Sequence, residues 1–228
     1  MKFKCIIFDL DGTLVNTIAD IAGSMNRALE AHGFPPVPVQ DYLTKVGWGI
    51  KRLAYLCLPA AAQQDGTADQ VAEGVAADAT RFYAEQPLVY SQPYPDMLDL
   101  VAALGRTTMK TAVLSNKPDP VARLVVQGLF PQGSFSLIQG DRPGLPRKPD
   151  PAATWAMLMA LDRTPRETIF MGDSEIDMET AHAAGCYALG VSWGFRSRQV
   201  LEAAGADRII DTPGELLGLI STGTSLDA

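Results

Sequence analysis

The chain has 228 residues, of which 47% are hydrophobic and 20% are charged, and this composition is typical of a folded globular protein rather than a disordered or fibrous one. Its formal net charge of −7 argues against a nucleic-acid partner, because a phosphate backbone attracts an excess of basic side chains. The sequence holds no apolar run long enough to cross a membrane and begins in a strand pattern rather than a signal peptide, so we expect no membrane partner and a cytoplasmic location.

The first predicted strand ends in two aspartates. Apolar residues from Phe3 to Phe8 lead into Asp9 and Asp11, whose side chains project to the same side while the chain is extended, and Gly12 allows a sharp turn after them. Two close carboxylates repel each other unless a cation lies between them, and ligands that are all oxygen favour Mg²⁺. On these residues alone, the two aspartates could instead cap the helix that follows.

The next part of the chain contains only helical patterns. Apolar side chains recur at helical spacing, and helices are predicted at residues 17–32, 41–46, 50–58 and 70–85. A purely helical segment inserted after the first strand of an α/β unit is typical of a second, smaller domain. We therefore expect residues 15–90 to form a helical cap over the aspartates, and residues 1–14 and 91–228 to form the core.

From residue 93 onward, short apolar strands alternate with helices, which predicts βαβ units and a parallel sheet. The predicted strands are at residues 111–114, 135–138, 168–171, 187–191 and 208–210. The predicted helices are at residues 96–104, 120–129, 152–161, 178–184, 199–204 and 215–220. The expected fold class is α/β, with a Rossmann-like parallel sheet core and an inserted all-helical cap, and a mobile polar tail is expected at residues 221–228.

Polar residues also follow later strands and occupy one stiff loop. Ser115 and Asn116 offer a hydroxyl, an amide and backbone N–H groups that could hold a phosphoryl group, although the same residues are common in ordinary turns. Lys148 lies in a proline-stiffened loop and could neutralise a phosphate, although a lone lysine is usually a surface residue. Asp173 and Asp177 again bring carboxylates to a strand tip, where they could also cap a helix. If all these carboxylates converge, a cation is required.

Neither the cysteines nor the histidines show the pattern of a site. Cys5, Cys57 and Cys186 lie far apart in apolar surroundings and are expected to be buried free thiols. His32 and His182 fall within predicted helices without an acidic partner at ligand spacing. We expect both histidines to be structural or surface residues.

The motifs, in this order, resemble those of the haloacid-dehalogenase-like hydrolases. The resemblance is carried by Asp9-x-Asp11-Gly12-Thr13-Leu14, by Ser115 after the second core strand, by Lys148 in a Lys-Pro-x-Pro loop, and by Gly172-Asp173 followed by Asp177. It covers nearly the whole chain, including the position of the helical insertion. One departure is Asn16, where an acidic residue is expected, and it bears on a hinge contact rather than on the chemistry.

The family resemblance implies a role for each of these residues. Asp9 would be the nucleophile that becomes an aspartyl-phosphate, and Asp11 would be the general acid/base. The substrate would be bound by Ser115, Asn116 and Lys148. Mg²⁺ would be held by Asp9, Asp173 and the backbone carbonyl of Asp11. The residues supporting the site would be Gly12, Thr13 and Asp177.

The resemblance also implies a Mg²⁺-dependent phosphatase that acts on a small phosphorylated metabolite. Three segments are similar to the phosphoglycolate phosphatase branch and favour 2-phosphoglycolate, namely residues 17–29, 115–118 and 148–151. Such a compact anionic leaving group needs a cation, which we expect from Lys51, Arg52 or the backbone of residues 47–49. The alternatives are a pyrophosphatase, a sugar phosphomutase and a non-enzymatic regulatory protein, while a metal-free dehalogenase is disfavoured because a halide needs no proton donor. Both a monomer and a homodimer remain open.

Overall fold

A computed structural model describes residues 3–64 and 66–221. The strands in this part of the chain are β1 (Cys5–Phe8), β2 (Val15–Asn16), β3 (Gln92–Pro93), β4 (Lys110–Pro118), β5 (Leu137–Asp141), β6 (Thr168–Gly172), β7 (Tyr187–Val191) and β8 (Arg208–Ile210). Six of them form a parallel sheet in the order β5-β4-β1-β6-β7-β8. The predicted α/β class with a Rossmann-like sheet is confirmed.

Helices fill the chain between these strands. Those that follow β1 in sequence are α1 (Ile18–Ala31), α2 (Val39–Lys45), α3 (Ile50–Cys57), α4 (Ala60–Gln63) and α5 (Ala68–Glu85). Those of the core are α6 (Met97–Gly105), α7 (Asp119–Leu129), α8 (Ala152–Leu161), α9 (Glu175–Ala184), α10 (Arg198–Ala203) and α11 (Gly214–Ser221), together with a 3₁₀ helix (Pro165–Glu167). Each predicted helix is present, and α4 is additional.

The central strand β1 is buried along its whole length because helices cover both faces of the sheet. Its side chains alternate between two hydrophobic clusters. Ile6 and Phe8 belong to the larger cluster, which includes the cap helices and the α6–α7 side of the core. Cys5 and Ile7 belong to the smaller cluster with α8 and α9. Since the strands are parallel, the loops after β1, β4, β6 and β7 meet at one edge of the sheet.

Two predictions about strands are wrong in detail. The strand predicted at residues 135–138 is displaced to β5, and the ring of Phe135 packs edge-on against Phe8 and Phe130 at centroid distances of 6.0 and 5.3 Å. Backbone pairing with β4 then continues as far as Asp141. A short antiparallel pair, β2 with β3, was not predicted and joins the two chain segments where the helical insertion begins and ends. Ladder hydrogen bonds, rather than apolar periodicity, determine both differences.

The two crossings between cap and core are fastened to each other. Asp20, in the first turn of α1, accepts hydrogen bonds from the backbone N–H groups of Tyr90 and Ser91 and from the Ser91 hydroxyl, at 2.6 to 3.1 Å. This buried carboxylate ties the start of the helical segment to the chain that leaves it. We propose that residues 15–90 form the cap domain and that residues 1–14 and 91–228 form the discontinuous core.

Three other predictions concern the whole chain. Within the described ranges, no helix is both long and apolar enough to cross a membrane. All three cysteines are buried free thiols, as predicted. The predicted mobile tail lies outside the described residues, apart from Ser221 at the end of α11.

Candidate active site

Three carboxylates converge at the carboxyl edge of the sheet. Asp9 follows β1 and Asp173 follows its neighbour β6, while Asp177 lies in the first turn of α9. All three are buried, and one oxygen of each lies within 4.8 Å of the others. Gly12 and Gly194 leave room for the Asp173 carboxylate, because a Cβ atom at either position would collide with it. Within residues 3–64 and 66–221, this arrangement could hold a metal ion.

Hydrogen bonds fix two of these carboxylates in place. Asp173 accepts from the Thr13 hydroxyl at 3.0 Å and from the Phe195 backbone N–H at 2.7 Å. Asp177 accepts from the Ser174 N–H at 3.1 Å and from the Ser174 hydroxyl at 2.6 Å, which also caps α9. Gly12, Thr13 and Asp177, which the sequence predicts to support the site, thus lie beside the cluster.

Burial and mutual repulsion disfavour negative charge in this cluster. Burial raises the pKa of Asp9 well above its usual range, and the neighbouring Asp177 carboxylate raises it further. The same two causes raise the pKa of Asp173 to about 7. A cation is the natural remedy, because the buried Asp9 Oδ1 atom forms an ion pair with Lys148 but accepts no well-aligned hydrogen bond from the described chain. Three carboxylates without nitrogen or sulfur ligands fit a hard divalent ion such as Mg²⁺.

Lys148 supplies part of the missing positive charge. Its Nζ atom lies 2.8 Å from Asp9 Oδ1 and 2.7 Å from Asp177 Oδ1, and the residue is only 4% exposed. Burial opposes the ammonium charge, but Asp177 and Asp9 outweigh this effect and raise the lysine pKa. One cation still faces three buried acids, so room for further positive charge remains.

The side chain of Asp11 lies outside the acidic cluster. Its Oδ1 atom accepts hydrogen bonds from the Thr17 hydroxyl at 2.7 Å and from Lys117 Nζ at 3.0 Å. The structure thus separates the two aspartates of the first motif, with Asp9 among the acids and Asp11 beside a lysine. The Asp11 side chain is therefore engaged away from the three acids, and a metal contact through the Asp11 backbone carbonyl stays a prediction.

Ser115 and Asn116 are adjacent buried residues near the end of β4, and they differ in what they can do. Ser115 lines the cavity, and its Oγ atom accepts from the Lys117 N–H at 3.2 Å, so its own hydrogen is available to a ligand. Asn116 instead spends its amide on the protein, donating to the Gly47 and Lys148 carbonyls at 2.9 and 3.0 Å and accepting from the Lys148 N–H at 2.9 Å. In this structure the Asn116 side chain thus positions the Lys148 loop, and its predicted contact with substrate stays a prediction.

A cavity of about 760 Å³, its open mouth included, lies between the cap and the strand tips. The core lines it with Asp9, Asp11, Ser115, Lys117, Lys148, Asp173 and Arg196, among others, and the cap contributes Gly47, Ile50, Leu53 and Tyr83, among others. The cap cations expected there are elsewhere, because Lys51 pairs with Glu73 on the surface at 3.1 Å and Arg52 stacks over Tyr55. Both side chains occupy the outward face of α3, whereas Ile50 and Leu53 face the cavity.

Arg196 is a cavity residue that the sequence analysis missed. It follows β7, pairs with Glu175 at 3.1 Å, and donates to the cap carbonyls of Leu43 and of Val46, the latter at 2.7 Å. Together with the Asn116 amide on Gly47, these contacts hold the turn between α2 and α3 against the core. The only signal in the sequence is its position after a parallel strand, where ligand-facing loops are expected.

The histidines lie away from the cavity lining. His32 hydrogen bonds to Asp78 within the cap at 2.9 Å, and His182 lies 4.0 Å from Asp207 on the core surface. The structural or surface role predicted for both histidines agrees with these positions. Their acidic partners are distant in sequence and were not foreseen.

Comparison with known proteins agrees with this geometry. A sequence profile of the haloacid dehalogenase-like hydrolases matches residues 6–191. The chain belongs to this family. As a haloacid dehalogenase-like hydrolase, it is 32% identical to a Haemophilus influenzae phosphoglycolate phosphatase over 96% of its own length and 99% of the relative's. It is 31% identical to a Rhodospirillum rubrum phosphoglycolate phosphatase over 96% of this chain and 93% of that one.

A solved structure shows the same family likeness. A protein from Haemophilus somnus, described as a predicted phosphoglycolate phosphatase, superimposes with a TM-score of 0.87 at 27% identity, covering 96% of this hydrolase and 98% of that chain. The predicted recognition, fold class and classification as an enzyme similar to phosphoglycolate phosphatases are confirmed.

Proposed function

We propose that this hydrolase cleaves a small phosphate monoester, 2-phosphoglycolate among the best, in a Mg²⁺-dependent reaction through an aspartyl-phosphate on Asp9. The observation that carries the proposal is that the two aspartates of the first motif have different surroundings. Asp9 lies in the acidic cluster 2.8 Å from the Lys148 ammonium, whereas Asp11 lies apart beside Lys117. One carboxylate is thus held for attack on phosphorus and the other for proton transfer.

The residues suited to hold Mg²⁺ are Asp9, Asp173 and the backbone carbonyl of Asp11. Asp177 completes the acidic cluster, but its two oxygens are already engaged by Lys148 and Ser174, so we assign it a supporting role. When bound, the ion would offset the repulsion between an anionic nucleophile and an anionic phosphate. This assignment is supported by the oxygen-only donor set and by the single positive charge, on Lys148, that faces the three buried acids.

In the first step, a carboxylate oxygen of Asp9 attacks phosphorus and the bond from phosphorus to the leaving oxygen breaks. Asp11 gives its proton to that oxygen, which leaves as an alcohol. In the second step, Asp11 takes a proton from a water molecule, the water oxygen attacks phosphorus, and the bond from phosphorus to Asp9 breaks to release inorganic phosphate. Two such steps replace a single direct attack by water, which is ordinary nucleophilic catalysis.

Two side chains are placed to hold the phosphoryl oxygens during both steps. Lys148 carries a buried positive charge beside Asp9, and Ser115 has a hydroxyl hydrogen free to donate. Donors that are fixed before the reaction stabilise developing charge without reorganisation, and each such donor is typically worth about 10²–10³-fold in rate. Asn116 contributes by fixing the Lys148 loop.

The proposed substrate rests on the names of the relatives and on the way the cap covers the cavity. The curated relatives at 31–32% identity are named phosphoglycolate phosphatases. The cap covers the strand tips and is held there by Asn116 and Arg196, which favours a small metabolite over a large sugar phosphate or a nucleotide. A cytoplasmic location and a monomeric or homodimeric state remain predictions of the sequence.

A phosphate-release assay tests the proposal directly. The wild type should release phosphate from 2-phosphoglycolate with Mg²⁺ and should stop reversibly with EDTA. Asp9→Asn should abolish turnover without loss of fold, whereas Asp99→Asn, a matched change at an exposed aspartate of α6, should leave it unchanged. Turnover by Asp9→Asn near the wild-type rate would contradict the assignment. A higher kcat/KM for pyrophosphate or for a hexose phosphate would show that the substrate, though not the chemistry, is wrong.

A further inference from the structure

The cavity contains a second basic centre, next to Asp11 rather than Asp9. Lys117 extends from the end of β4, its side chain is 5% exposed, and Nζ lies 3.0 Å from Asp11 Oδ1. The same atom lies 4.1 Å from the centre of the Tyr83 ring, which belongs to cap helix α5. A lysine ammonium has three N–H donors, and Asp11 accepts from one of them.

Tyr83 adds an unsatisfied donor at the same place. The residue is 5% exposed and lines the cavity, and its hydroxyl lies near Lys117 and Ser91 but makes no well-aligned hydrogen bond in the part of the chain that the structure describes. Buried polar groups in folded proteins are nearly always paired with protein, water or ligand. A buried hydroxyl that borders both a cavity and a lysine is therefore placed to meet a ligand that accepts a hydrogen bond.

Other cations of the cavity are already engaged. In the described chain the cavity is lined by Lys117, Lys148 and Arg196. Lys148 forms ion pairs with Asp9 and Asp177. Arg196 pairs with Glu175 and donates hydrogen bonds to two cap carbonyls. Lys117, with one acid partner and an aromatic face, has the most capacity left for a ligand.

We propose that Lys117 and Tyr83 form the subsite for an anionic group, such as a carboxylate, on the leaving alcohol. This rests on the proposed function, in which Asp11 stands beside the leaving oxygen. In 2-phosphoglycolate a single methylene separates that oxygen from the carboxyl carbon, so a donor pair next to Asp11 lies where the carboxylate falls. Because the core supplies the lysine and the cap supplies the tyrosine, the subsite is complete only when the cap lies against the core.

The test compares two substrates that differ in this group. Values of kcat/KM are measured with saturating Mg²⁺ for 2-phosphoglycolate and for 2-hydroxyethyl phosphate, whose leaving alcohol is uncharged. The informative quantity is their ratio, because a loss that Lys117 transmits only through Asp11 affects both substrates equally. We expect Lys117→Met to lower the ratio about tenfold or more and Tyr83→Phe to lower it several-fold, as expected when charged and neutral hydrogen bonds to a buried anion are removed.

Matched controls are available on the cap surface. Lys51→Met and Tyr55→Phe change the same residue types outside the cavity lining and should leave the ratio within about twofold of wild type. An unchanged ratio in both Lys117→Met and Tyr83→Phe overturns the subsite, as does an equal fall in the controls. If Lys117→Met does not fold, the conservative Tyr83→Phe variant decides alone.

A binding measurement separates this inference from the proposed function. If the wild type hydrolyses neither ester, the proposed function is wrong. Calorimetric affinities of 2-phosphoglycolate and 2-hydroxyethyl phosphate for the Asp9→Asn protein, with and without Tyr83→Phe, then test the subsite by itself. A preference for 2-phosphoglycolate that Tyr83→Phe weakens supports the subsite, and equal affinities contradict it.

Discussion

Replacing Lys148 with methionine is expected to destabilise the metal-free protein strongly. The substitution keeps the length and most of the volume of the side chain but removes the ammonium that lies 2.8 Å from Asp9 and 2.7 Å from Asp177. Both partners are buried, so water cannot replace the lost charge. The three carboxylates of the cluster would then face one another without a cation.

The size of the effect follows from the two contacts. A hydrogen bond to a charged group contributes about 1.5–3 kcal/mol, and removal of one partner from a buried ion pair typically costs about 3–5 kcal/mol. We expect Lys148→Met to lower the free energy of unfolding by about 3–5 kcal/mol at pH 8 in EDTA. Lys51→Met, which breaks an exposed pair with Glu73, should cost less than about 1 kcal/mol.

The loss of stability in Lys148→Met should also depend on pH. The pKa of Asp173 is about 7 in the folded protein and near 4 in an unfolded chain, and the pKa of Asp9 is raised in the same direction by burial. Between about pH 4 and 7 the folded protein therefore holds protons that the unfolded chain has released, and its stability falls as pH rises through this window. Protonation relieves the repulsion that Lys148→Met creates, so the penalty should be smaller at pH 5.5 than at pH 8.

Urea unfolding followed by circular dichroism at both pH values measures the effect. The reasoning is refuted if Lys148→Met costs no more than Lys51→Met at pH 8, or if its cost is the same at both pH values. Restoration of stability by added Mg²⁺ would further show that the cluster accepts a cation in place of the lysine.

Three further predictions follow from the same structure. Mg²⁺ affinity, measured by calorimetry, should rise between pH 6 and 8, because Asp173, with a pKa of about 7, must release its proton before it can bind the ion. An affinity that does not change with pH would count against Asp173 as a ligand. Burial raises the pKa values of Cys5 and Cys57 to about 11 and of Cys186 to about 12. No thiol should therefore react with a disulfide reagent at pH 8 until the protein unfolds. Rapid labelling of the native protein would contradict this burial. Arg196→Gln should accelerate tryptic cleavage after Lys45, because it frees the turn between α2 and α3. Arg198→Gln, which alters an exposed pair with Asp211, should leave the cleavage rate unchanged. Equal cleavage rates in the two variants would show that Arg196 does not hold the turn.

Much of the fold and of the site was predictable because apolar strands mark their own ends. Polar residues at the carboxyl ends of neighbouring parallel strands reach the same edge of the sheet, which is why Asp9, Ser115 and Asp173 line one cavity. Lys148 could be predicted from its proline-rich loop together with the order of the family motifs, since a lone lysine is otherwise expected on the surface. The strand β5 was displaced in the prediction because an apolar run containing Phe135 looks the same whether its ring joins the sheet or packs against other rings.

The contacts that were missed join residues far apart in the chain. Lys117 meets Asp11 across 106 positions, and Arg196 meets Val46 across 150, so no local pattern reveals either contact. The prediction that Lys51 or Arg52 reaches the cavity was wrong for a related reason. Sequence places Lys51 near the turn of the cap, but only packing decides which face of α3 points into the cavity.

The central claim is that Asp9 carries the phosphoryl group during turnover. Acid quenching of the wild type during hydrolysis of 2-phosphoglycolate, followed by peptide mass spectrometry, locates the group. We predict one phosphoryl group on the peptide that contains Asp9, with fragmentation assigning it to Asp9, and none in Asp9→Asn under the same conditions. A phosphoryl group on Asp11 or Ser115, or steady turnover with no phosphorylated peptide at any quench time, would contradict the account.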